Sequence, residues 1–188
     1  PLRSKLSRGD SDSTWSNTVI GLAHALHVDA AKKNMSVLAL ELKAGAPRLG
    51  IPRETGALRY RFPKNNGGLT KFDNWVRDPQ LEVWLNHESR SHMPSDLARY
   101  FYTAVFGQVY KRTPKGHLDF PLKGLAPDHA NWESGKFIDR FRVQRFEAPS
   151  TTVTSHIAKD GHYFIHPDPS QCRSLTVRAA ARLQTFPD

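Results

Sequence analysis

One cysteine, Cys172, stands in the whole chain, which excludes an internal disulfide and fits a reducing compartment. No run approaches the ~18 apolar residues a membrane-crossing helix needs, and no charged-then-apolar leader opens the sequence. Internal repeats and low-complexity tracts are missing too. Hydrophobic residues make up 38% of the 188, below the usual share, while 13 prolines and 12 glycines imply many loops. Acid is scarce: 18 Asp and Glu face 27 Lys and Arg, for a formal net charge of +9. That balance suits a polyanionic partner, either nucleic acid or an acidic membrane surface. The length accommodates one domain with a core, or one domain with an extension. These absences together describe a soluble, cytoplasmic polypeptide.

What is present is mostly helical. Pro1 to Asp12 is polar and basic and reads as a linker or arm, its abrupt start suggesting a longer protein. Ser13 or Thr14 caps a helix to about His27, with Trp15, Val19, Leu22, Ala23 and Leu26 as its apolar stripe. Asp29 starts a second helix to about Lys43. His24 and His27 lie on this pair, too few for a metal site. Trp75, Val76, Leu81, Val83, Trp84 and Leu85 form a core block. Ser95 caps a helix from Asp96 to about Lys111, in which Leu97, Tyr100, Phe101, Ala104 and Val105 recur at helical spacing. A brief helix from Pro127 to about Gly135 carries His129 and Trp132.

Two stretches differ. Residues 43–71 hold seven cations against Glu54 alone, together with five glycines and three prolines. Within them Leu58-Arg59-Tyr60-Arg61-Phe62 alternates as a strand with a cationic face, and Asn65-Asn66-Gly67-Gly68 is a turn. Arg59, Arg61 and Lys64 suit phosphate contacts, although a solvated loop has the same composition. After Gly135 the period changes from 3.6 to 2. Residues 137–146 gather Arg140, Arg142 and Arg145, and 148–157 is β-branched and hydroxyl-rich. Lys159-Asp160-Gly161 turns the chain into a second strand, 162–166. Thr152, Thr154 and His156 then project away from Val153 and Ile157.

The last sixteen residues, Arg173 to Asp188, form a short helix with Thr176 as N-cap and Pro187 as stop. Ala180, Leu183 and Gln184 share one face, and Arg178 and Arg182 stack four apart. The string R-x-L-T-x-R-x-A-A-R-L-Q-x-F-P-D resembles the ninth motif of DNA (cytosine-5) methyltransferases. Ala179 stands where that family usually has Glu, so the capping box is incomplete. Pro149-Ser-Thr-Thr-Val-Thr154 is similar to the P-S-x-T-[IV]-T segment of the family's target-recognition region, which faces the DNA major groove. The resemblance covers about residues 139–188.

Periodicity and resemblance together give an α+β fold: a mainly helical body (1–135, with the basic loop 43–71), a small antiparallel β recognition core (136–172), and a C-terminal docking helix (173–188). Double-stranded DNA would meet Arg59, Arg61, Lys64, Arg140, Arg142, Arg145, Thr151, Thr152, Thr154, Ser155 and Lys159. Arg173, Thr176, Arg178, Arg182, Gln184 and Phe186 would dock the helix on a catalytic domain or a partner chain. No membrane contact is implied, and a bacterial version would lie on the nucleoid.

In that family a cysteine thiolate in Pro-Cys-Gln adds to C6 of a flipped cytosine. Glu-Asn-Val supplies an acid, F-x-G-x-G holds S-adenosylmethionine, and Gly-Asn-x-Val follows the ninth motif. None of these strings occurs here. Cys172, between Gln171 and Arg173, reads as a packing residue, and no catalytic residue is assigned. His156, His162, His166 and Cys172 match no common zinc spacing, so no metal is assigned. No cofactor is expected in this chain; S-adenosylmethionine belongs to a full-length enzyme. A subunit of a split methyltransferase and a stand-alone basic nucleic-acid-binding module are the alternatives.

Overall fold

The helix α4 (Pro94–Tyr110) is the axis of the molecule. Its sequence is apolar on every side, and a helix of that kind is surrounded. Every residue from Asp96 to Gly107 is buried, including Tyr102 and Phe106, which lie off the expected stripe. Ser95 does not cap it. Met93 takes the N-cap position in an extended conformation and Pro94 the first turn, where its missing N–H costs nothing. A computed structural model describes residues 1–61, 71–134, 140–159 and 161–187.

Two helices pack on α4. α1 (Asp12–Lys32) is capped by Ser11, whose hydroxyl accepts from Thr14 N–H at 3.1 Å. It runs straight through Asp29, where a new helix was expected. The Asp29 carboxylate instead accepts the Lys123 N–H at 2.9 Å across a tertiary contact. α2 (Ser36–Leu49) follows a short break and buries Leu38, Leu42 and Leu49. Gly45 lets the Phe101 ring approach to 3.1 Å from where a Cβ would stand.

The amino-terminal residues are structural, not an arm. β1 (Lys5–Leu6) pairs in parallel with β4 (Ser91–His92), and Leu2 and Leu6 are buried. Arg3, 4% exposed, pairs with Asp10 and Asp12, both at 2.8 Å. The Trp15 indole N–H donates to Ser4 Oγ at 3.0 Å. The antiparallel pair is β2 (Gly56–Arg61) with β3 (Val83–Glu88), preceded by the short α3 (Lys71–Val76). In the expected core block only Val76 is fully buried; Trp75 is exposed.

The α+β class holds: among the described residues helices dominate, and each sheet has two strands. The hairpin expected at 148–166 is different. Residues 151–154 carry no strand, and Ser155–Ala158 is a 3₁₀ turn. The pairing is supplied by two single bridges, Val143 with Ile165 in parallel and Ile165 with Ser174 antiparallel. Pro149 removes one ladder donor at the start of this stretch, and side-chain bonds described below hold the rest. The segment 127–134 forms turns, although Trp132 is buried as expected. The expected turn at 65–68, Lys64, residues 137–139 of the expected strand and Asp160 of the expected second turn lie outside the described residues. No described helix is long and apolar enough to cross a membrane.

Candidate functional site

A short scaffold carries the site. Arg142 N–H donates to His162 O, Ile165 N–H to Arg142 O, and Gln144 N–H to Ile165 O, each at 2.9 Å. Val143 is seated against α4 at Gly107, where an added Cβ would come within 2.7 Å of the valine methyl. From this ladder the chain leaves through Arg145 and Phe146 and returns as the hydroxyl-rich loop 150–154.

Between that loop and the ladder opens a cleft of about 570 Å³ lined by Arg142, Ser150, Thr151, Thr152, Thr154 and Tyr163. It brings together four of the residues expected to meet DNA: Arg142, Thr151, Thr152 and Thr154. Arg145 lines a separate shallow hollow with Phe146 and Lys111. Lys159 lines another with Arg90, His92 and His162. Ser155 is exposed at the start of the 3₁₀ turn, and Arg140 is half-buried. Arg59 and Arg61 are exposed on β2.

The carboxy-terminal helix, α5 (Val177–Leu183), forms where the motif sets it. Thr176 caps it, its hydroxyl accepting from Ala179 N–H at 3.0 Å. Gln184 Nε2 donates to Val153 O at 3.3 Å and so reaches the hydroxyl loop. Arg178 lies over the Trp84 ring, 5.3 Å from its centroid. His87 Nδ1 meets Thr176 Oγ1 at 3.0 Å. Arg182 donates to Phe186 O at 2.6 Å. Arg173 is buried and bonds Gln171 Oε1 at 2.8 Å and Ser174 O at 3.0 Å. Most of the motif's polar side chains therefore bond elements of this chain, while Val177, Leu183 and Phe186 are exposed.

Strand alternation would send Trp84 and His87 to opposite faces. Asn86, at φ 54°, breaks that alternation, and the two rings meet edge to face at 5.5 Å. Tyr60 stacks on Trp84 at 6.2 Å. Sequence reasoning missed this aromatic platform because its signal is a single left-handed asparagine.

The electrostatics favour neutral histidines. Burial, with Arg173 and Arg178 nearby, pushes His87 down to about 4. Burial pushes His92 to about 4 and His166 to about 3. Burial also lowers Arg173 to about 10. Tyr100 bridges His162 at 2.9 Å and His92 at 3.4 Å, which occupies His162 Nδ1. Cys172 is buried, its thiol directed at Pro169 O and raised by burial.

Gln144 was also missed. Its side-chain amide sits under the hydroxyl loop and bonds Ser150, Thr151 and the Tyr163 carbonyl. A glutamine in a basic, loosely alternating stretch carries no distinguishing sequence signal.

Parts of this chain are similar to known type II methyltransferases. The chain is 64% identical over 120 residues to the type II methyltransferase M.Bpa9945I of Bacillus paralicheniformis, covering 64% of the chain and 25% of that protein. It is 45% identical over 56 residues to the type II methyltransferase M.AgeI of Thalassovita gelatinovora, 30% of the chain and 13% of that protein. A putative type II methyltransferase of Oceanobacillus iheyensis, M.OihORF3336P, is 37% identical over 57 residues, 30% of the chain and 12% of its own length. The chain thus spans a quarter or less of these relatives. No family model and no solved structure matches it.

Proposed function

We propose that this chain is the target-recognition portion of a DNA (cytosine-5) methyltransferase of a restriction-modification system. It binds double-stranded DNA and chooses the sequence, while a catalytic part elsewhere transfers the methyl group from S-adenosylmethionine. The observation that carries the reading is the cleft in which Arg142, Thr151, Thr152 and Thr154 converge, held by the ninth-motif helix through Gln184. Guanidinium and hydroxyl groups in one groove match the donors and acceptors of base edges and phosphates. The resemblance of 149–154 and 173–188 to the recognition region and closing motif supports the same assignment. So does the similarity to type II methyltransferases. The recognition core, 136–172, and the docking helix, 173–188, act as one unit on the helical body, 1–135.

Charge supplies affinity and the cleft supplies discrimination. Duplex binding by the purified chain should weaken steeply with salt. Replacing Arg59, Arg61 and Lys64 together should lower the log–log salt slope by roughly 2–3 units if each meets one phosphate. An unchanged slope in filter-binding titrations would assign these cations to solvent. Thr152→Ala should instead lower affinity for the preferred site more than for single-base variants of it. A uniform loss across variants would move the reader elsewhere.

A further inference from the structure

Gln144 does more than fill space beneath the cleft. It is 7% exposed, and its backbone is anchored in the ladder through the N–H bond to Ile165 O. Its amide makes four bonds in two senses. Oε1 accepts from Ser150 Oγ at 2.9 Å and from Thr151 N–H at 3.3 Å. Nε2 donates to Thr151 Oγ1 at 3.2 Å and to Tyr163 O at 3.3 Å. The orientation of the amide is fixed by its backbone partners. A peptide N–H only donates and a peptide carbonyl only accepts, so oxygen faces Thr151 N and nitrogen faces Tyr163 O.

That orientation has a chemical consequence for Thr151. Its hydroxyl oxygen is engaged as an acceptor by Gln144, and among the described residues its own proton has no acceptor. Thr151 is exposed on the cleft wall. With one lone pair taken from behind, the proton and a single lone pair remain for the cleft, and the bond accepted from Gln144 polarises the hydroxyl and strengthens it as a donor. Left alone, a threonine hydroxyl donates or accepts with equal ease and discriminates poorly.

We infer that Gln144 is a positioning residue that biases Thr151 toward donating a hydrogen bond to DNA, so that this position of the cleft favours a base-edge acceptor over a donor. This rests on the function proposed above. In the major groove guanine offers only the acceptors N7 and O6, and thymine the acceptor O4, whereas cytosine offers the N4 amino donor. The position governed by Thr151 therefore favours guanine or thymine over cytosine.

Gln144→Glu tests the inference with little change in shape. The carboxylate has no proton for Thr151, so the threonine hydroxyl turns to donate to it and shows its lone pairs to the cleft. Binding of the wild-type chain, Gln144→Glu and Thr151→Val would be measured against a randomised duplex library, with circular dichroism and thermal melting as folding controls. One base position should lose its preference in Thr151→Val. At that same position the wild-type chain should favour guanine or thymine over cytosine by roughly 2- to 10-fold, the range of one net hydrogen bond. Gln144→Glu should reverse the order, raising cytosine. The added negative charge lowers affinity for every duplex by a common factor and does not reorder bases.

A Gln144→Glu chain that binds more weakly but keeps the wild-type order would overturn the inference and leave the proposed function intact. Failure of the folded wild-type chain to bind duplex DNA would remove both. Should Gln144→Glu not fold, Thr151→Val decides: unchanged base preference in that variant overturns the inference.

Discussion

Gly56→Ala is expected to destabilise the protein by more than about 3 kcal/mol, a large share of the stability of a domain this size. Gly56 opens β2 at φ 76°, a left-handed conformation that costs a non-glycine residue ~1–3 kcal/mol. A Cβ there would stand 1.9 Å from His87 O and 2.9 Å from Leu2 Cδ1. The first of these is backbone, so no rotamer change relieves it. The strand pair must part at Gly56 and His87, and with it goes the bond from His87 to Thr176. Chemical denaturation followed by tryptophan fluorescence measures the loss. Gly9→Ala is the control: it has φ 62° but no atom within 4 Å of the added Cβ, so it carries the left-handed cost alone. Equal losses in the two variants would show that the close approach at Gly56 contributes nothing.

Acid should unfold the protein from near neutrality downward. His87, His92 and His166 are neutral in the fold, with values pushed to about 4, 4 and 3, against 6.5 in the unfolded chain. Between pH 6.5 and about 4 the unfolded state binds protons that the folded state refuses, so stability falls as pH falls. For His92, 7% exposed, the full effect is about 3 kcal/mol; His166, pushed lower still, contributes a comparable amount, and the less buried His87 contributes less. Asp10, Asp119 and Asp168, all held below the ordinary carboxylate value, extend the loss below pH 4. Asp10 is stabilised by Arg3, and Asp119 by Arg112. Denaturation midpoints from pH 8 to pH 4 give the slope, and His92→Gln should flatten it. A midpoint independent of pH between 6.5 and 4.5 would show that these rings titrate alike in both states.

Much of this architecture is visible in the residues, and what is hidden has identifiable causes. The stripe Leu97, Tyr100, Phe101, Ala104, Val105 marks α4, because burial and helical period agree there. Thr176 marks α5 because a cap is a local interaction. Asp29 misleads because a carboxylate that could cap a helix serves a tertiary bond to Lys123 instead. The β-branched run 151–154 misleads for the same kind of reason. Its propensity is for strand, but Gln144 and Gln184 take its backbone groups before a partner strand does. Arg3 looks solvated from composition, and only Asp10 and Asp12 folding back on it make it interior. Within the cleft, Arg142 and the threonines are legible from residue type, whereas the amide that orders them is not.

The bond from Ser4 N–H to Gln171 O, at 3.1 Å, joins the start of the body to the threshold of the closing helix. Everything between those two residues is a closed excursion whose entry and exit share one doorway. Joining two neighbouring points to a host costs little chain entropy, so a graft at these two points strains neither junction. A segment cut near residues 4 and 171 would carry the ladder and the Tyr60–Trp84 stack with it, and would leave the host to supply the closing helix with Thr176 and Gln184.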